Sequence, residues 1–125
     1  ANQVADIRAM HDPTEGGLAT GLFELTRVSN TGVIIYEDKI HFLDETRILC
    51  SDYKLDPLGV IASGSLLIVV GPDDRDAVLS KLVQHDIECA VIGQLTEKEN
   101  GLKIVSDGKE RELPFFQVDE IARVI

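Results

Sequence analysis

The chain has 125 residues, is 44% apolar and 27% charged, and carries a formal net charge of −10. This is the size and mixture of one ordinary globular domain, with enough apolar mass for a core that needs neither disulfides nor a structural metal. The acidic balance, with no basic cluster longer than a pair, disfavours nucleic acid and anionic membrane surfaces, and no run approaches the ~20 apolar residues of a membrane span.

Val4 to Met10 reads as a short extended lead-in. Pro13 disfavours helical geometry at Asp12, so the chain stays extended up to a polar loop, Asp12 to Gly17. Thr14 is an N-cap candidate. Leu18, Leu22 and Leu25 then share one face, which predicts a first helix over 17–29, ended at Asn30-Thr31-Gly32 with Gly32 as a left-handed cap. Val33 to Tyr36 is β-branched enough for a strand, Glu37 to Lys39 turns the chain, and Ile40 to Leu43 is a short extended piece.

Asp44 reads as the N-cap of a second helix, Glu45 to about Lys54, with Ile48, Leu49 and Tyr53 as its apolar side. Asp56-Pro57 breaks it, Leu58 to Ala62 offers one more turn, and Ser63-Gly64-Ser65 is a loop. The continuous apolar run Leu66 to Val70 predicts a strand covered on both faces. Gly71 to Asp74 opens a third helix with a stripe of Val78, Leu79, Leu82 and Val83, ending at His85-Asp86. Strands follow at Glu88–Leu95 and Leu102–Val105, and Asp107-Gly108 turns a hairpin into Glu110–Leu113. Asp119 caps a last short helix, Glu120 to Ile125. Local hairpins among alternating elements favour an α+β fold: a mixed or antiparallel sheet with helices packed on one face.

Cys50 and Cys89 have no metal-binding spacing and read as small core hydrophobes in a reduced, cytoplasmic protein; no metal site is assigned. His41 and His85 stand alone at element edges, and Glu37, Asp38, Asp44 and Glu45 read as a solvated acidic face. The opening loop is the candidate for chemistry. Gly16 and Gly17 let a ligand approach the backbone, and a helix N-terminus suits a phosphate. Thr14 could meet a phosphate oxygen and Asp12 a magnesium ion, while Glu15 would repel the anion unless a cation bridged them. The alternative is a glycine turn that lets the helix pack tightly on a sheet.

The stretch Met10 to Glu24 resembles the C-terminal domain of the aminoimidazole ribonucleotide (AIR) synthetase superfamily, and looks most like its HypE-type hydrogenase-maturation members, where a DPTxGG element opens the domain. The likeness continues through Leu55–Leu58, Ala62–Leu67, Asp73-Asp74 and Val91–Gly93. It implies a two-domain, ATP-dependent enzyme that phosphorylates and activates a small substrate. An N-terminal domain would pair across a homodimer and carry most ATP and magnesium ligands. His11, Asp12, Thr14, Gly16 and Gly17 would line the interdomain cleft. Ala1 to Ile125 would be one AIR synthase-related C-terminal domain, a fragment of the longer protein. Three departures stand out: HypE-type chains end in a carbamoyl-accepting cysteine where this one ends Arg123-Val124-Ile125, have an acidic residue where this one has Ser63, and often have Arg at Glu15. A non-catalytic binding or assembly module of the same fold is the alternative.

Overall fold

The computed structural model describes residues 7–13, 15–60 and 65–123. Their order is β1 (Ile7–His11), α1 (Gly17–Ser29), β2 (Gly32–Tyr36), α2 (Asp44–Tyr53), β3 (Leu67–Val70), α3 (Arg75–Gln84), β4 (Gly93–Thr96), β5 (Leu102–Ser106) and β6 (Lys109–Glu112). Single 3₁₀ turns intervene, notably Pro57–Gly59 and, at the end, Glu120–Arg123.

The fold is α+β, as expected. A four-stranded mixed sheet runs β4-β2-β5-β6, with β2 parallel to β5 and the outer pairs antiparallel. The parallel register sets Val33 against Leu102 and Ile35 against Ile104. A parallel pair needs a long crossover, and the whole stretch from α2 to β4 supplies it. A separate two-stranded sheet pairs β1 antiparallel with β3, setting Met10 against Ile68 and His11 against Leu67.

Alternation along β2 and β5 turns Val33, Ile35 and Ile104 into the core, where they meet Ala19 and Leu22 of α1 together with Ile40, Leu58 and Leu113. Full burial of each large aliphatic side chain contributes about 1.5–3 kcal/mol. Thr26, the polar residue inside α1, is buried because its hydroxyl donates back to the carbonyls of Leu22 and Phe23.

Several expectations need correction. Asn30, not Gly32, takes the left-handed cap of α1; Gly32 begins β2, where a Cβ would lie 2.6 Å from the carbonyl oxygens of Glu97 and Gly101. The apolar side chains expected to pack α2 face outward: Ile48, Leu49 and Tyr53 are exposed, and Cys50 alone of that helix is buried. β3 is half-buried throughout rather than covered on both faces, since its sheet has only two strands among the described residues. The strand expected over 88–95 is confined to Gly93–Thr96, and Cys89 is half-exposed. No helix among the described residues is long and apolar enough to cross a membrane.

Candidate functional site

The carboxyl end of β1 lies against α1, with His11 near Glu24 and Pro13 near Gly21. His11 closes the strand, with its imidazole Nε2 3.8 Å from a Glu24 carboxylate oxygen. Asp12 is exposed, whereas Pro13 is almost wholly buried. The reason is local. Gly21 lies one turn into α1, and a Cβ there would come within 2.7 Å of the Pro13 Cβ. The missing side chain lets the proline ring settle on the helix, so His11-Asp12 stands as a rim above a pinned proline.

Thr14 lies outside the described residues. The N-cap position of α1 falls on Gly16, which has no side chain to cap with. Gly16 and Gly17 both adopt left-handed backbone, with φ of 80° and 68°. That conformation favours glycine strongly, because an L side chain there meets the following carbonyl. Both are buried. The backbone of Gly17 is pressed against the turn at 58–60: a Cβ would lie 2.5 Å from the carbonyl oxygens of Leu58 and Val60. The Gly16 N–H donates to Asp119 Oδ2 at 2.7 Å, a bond spanning 103 residues.

Two acidic neighbours therefore complete the site, one of them read from sequence only as a local cap. Asp119 does cap the last turn, its Oδ1 accepting from Ile121 N–H at 2.9 Å, while its other oxygen serves Gly16. Glu120, buried, accepts from the Asp56 N–H at 2.9 Å. Asp56 in turn accepts from Leu58 N–H at 3.0 Å, shaping the Pro57–Gly59 turn. Nothing in sequence spacing links Asp119 to Gly16; only Asp56-Pro57, as a turn signal, marked one partner in advance.

These carboxylates also act on Cys50 behind the turn. Burial, then the charges of Asp56 and Glu120, push its thiol above the usual value of 9.0. It stays protonated at neutral pH, as a core residue rather than a nucleophile. Among the described residues no three His, Cys, Asp or Glu side chains converge as a metal set.

The residues expected to line a cleft thus divide. His11 and Asp12 form an outward rim. Gly16 and Gly17 are buried, one donating to a carboxylate of the same chain and the other closed by backbone. A phosphate does not fit the helix mouth in this state, since the Gly16 amide is taken and Asp119 would repel an anion. A cavity of about 660 Å³ opens elsewhere, between α1 and residues 115–117, and includes Phe23, Arg27, Lys98 and Phe116 in its lining.

An α+β domain whose first strand leads through an exposed aspartate and a left-handed glycine pair into its first helix is the class of protein this geometry defines. The chain belongs to the AIR synthase related protein family, C-terminal domain, whose model matches residues 1–105. It is 35% identical over 124 residues to a carbamoyl dehydratase HypE of Rhizobium leguminosarum bv. viciae, covering 96% of this chain and 35% of that protein. Among solved structures it resembles the hydrogenase maturation protein HypE in complex with ATP, with TM-score 0.84 and 28% identity over 94% of this chain and 38% of that one. It also resembles a chain of the HypE-HypF complex, with TM-score 0.81 and 26% identity over 88% and 37% respectively. The chain spans about a third of the length of the curated relatives it matches.

Proposed function

We propose that this domain is the C-terminal part of a HypE-like, ATP-dependent enzyme that phosphorylates and thereby activates a small substrate. The similarity to a carbamoyl dehydratase along 96% of the chain carries the reading, and the ATP-bound structural neighbour supports it. In this reading an N-terminal domain holds ATP and magnesium and pairs across a homodimer. His11, Asp12 and Thr14 face the cleft between the domains. Gly16 and Gly17 belong to the same loop and give it its shape.

The rim has a definite part to play. Pro13, held against Gly21, restrains the backbone on which Asp12 stands, so less of the loop's ordering is left to the binding event. Bound ATP supplies the phosphoryl group. The Asp119 charge beside Gly16 keeps the triphosphate off the mouth of α1, leaving the nucleotide to the other domain.

Replacing Asp12 by Ala in the full-length protein tests this. ATP turnover with substrate should fall by roughly 10- to 100-fold, as for a lost positioning contact. Stability should stay within about 0.5 kcal/mol, because the side chain is exposed. Unchanged turnover would overturn the role given to the rim. An assembly module is the second reading, favoured by the outward Ile48, Leu49 and Tyr53 of α2 and by the HypE-HypF neighbour. It predicts intact partner capture, sensitive to Tyr53→Ser, with no substrate-dependent ATP turnover at all.

A further inference from the structure

We infer that Asp119 and Glu120 form a latch that ties the mouth of α1 to the 56–60 turn, so that the two open together and the Gly16 amide is released only when both carboxylates let go. Three segments close on one another in a ring. Asp119 holds Gly16 at 2.7 Å. Glu120 holds Asp56 at 2.9 Å. The far end of the same turn, at Leu58 and Val60, abuts the backbone of Gly17. The same turn meets the chain leading to the latch, because a Cβ on Gly59 would lie 2.6 Å from the Phe116 ring. Phe116 is itself tied back to α1, its carbonyl accepting from the Thr20 hydroxyl at 3.3 Å.

A ring of this kind is not two independent caps. Asp119 and Glu120 are adjacent, so one cannot retreat far while the other stays bonded. If the last turn lifts, both amides lose their acceptors in the same event. Each is a hydrogen bond from a backbone N–H to an ionised side chain, the stronger kind, and neither amide has another acceptor among the described residues. Local openings of such contiguous units are what amide hydrogen exchange reads.

The latch deepens the proposed function by naming what guards the glycine pair that follows the rim. It rests on that reading only in its consequence for the cleft; the coupling itself does not. Hydrogen exchange of the chain, followed amide by amide by NMR, tests it without ATP. Asp119→Ala should speed exchange at Gly16 by at least about tenfold and also speed it at Asp56, with Ile104 in β5 unchanged. Glu120→Ala should do the converse, speeding Gly16 although the amide Glu120 holds is that of Asp56. Asp119→Asn and Glu120→Gln, which keep an acceptor oxygen, should fall between and serve if either alanine variant fails to fold. Should each substitution speed only the amide its own carboxylate holds, the latch is refuted and two separate caps remain. That result would leave the Asp12 turnover assay, and with it the proposed function, untouched.

Discussion

Gly17→Ala is the sharpest test of why the loop carries two glycines. The residue sits at φ 68°, and an added Cβ would lie 2.5 Å from two carbonyl oxygens and 2.9 Å from the Gly59 carbonyl carbon. Left-handed backbone costs an L-residue about 1–2 kcal/mol. Forcing a methyl group into a packed contact costs about 1–3 kcal/mol, and here the neighbours are backbone, which cannot rotate away. Against this stands a gain of about 0.4–1 kcal/mol from a less flexible unfolded chain. The balance is a loss of roughly 2–4 kcal/mol, a large share of a typical stability of about 5–15 kcal/mol. For a domain of this size that lowers Tm by roughly 10 °C in a calorimetric or fluorescence melt. Gly108→Ala is the matched control, with φ 75° and nothing within 4 Å of the added Cβ. It should lose only about 1 kcal/mol. If the two variants melt together, the close approach of α1 to the 58–60 turn carries no energy and the packing account of the glycine pair is wrong.

Leu58, wholly buried at the centre of that turn, should cost about 2–5 kcal/mol when replaced by Ala, read as a lower urea midpoint with an unchanged slope. At pH 8, Cys50 should alkylate with iodoacetamide far more slowly than the half-exposed Cys89, as mass spectrometry of the intact and digested chain would report. The raised thiol value means the folded chain binds that proton more tightly than the unfolded one. The corresponding stability is present below the ordinary value of 9.0 and is lost as pH rises beyond it, so a Cys50→Ala chain should show a shallower decline in Tm on the alkaline side.

What the sequence revealed and what it hid follow the range of the forces involved. The bounds of α1 were legible at Gly17 and Ser29 because a 3.6-residue period and a polar break are both local. The hairpin at Asp107-Gly108 was legible for the same reason, since a two-residue turn announces itself. The face of α2 was not. Its apolar residues mark one side as different without saying what lies against it, and Ile48, Leu49 and Tyr53 are exposed. Gly32 was misread as a cap because glycine answers two demands with one residue type: a positive φ, or room for a neighbouring backbone. Here the second demand decides, with the carbonyls of Glu97 and Gly101 against it.

The opening loop poses the same ambiguity at the level of function. A helix mouth with free amides attracts any anion, and sequence cannot distinguish a bound phosphate from a carboxylate of the same chain. The structure supplies Asp119, 103 residues away, and the local pattern around Gly16 holds no trace of it. The rim is different, because Asp12 is exposed by the very proline that was legible beside it: burying Pro13 against Gly21 turns its neighbour outward. The part of the loop that sequence read through a short-range constraint is therefore the part free to meet a ligand. The part it read through the helix dipole already has its negative partner, and any anion that reaches Gly16 must first displace one.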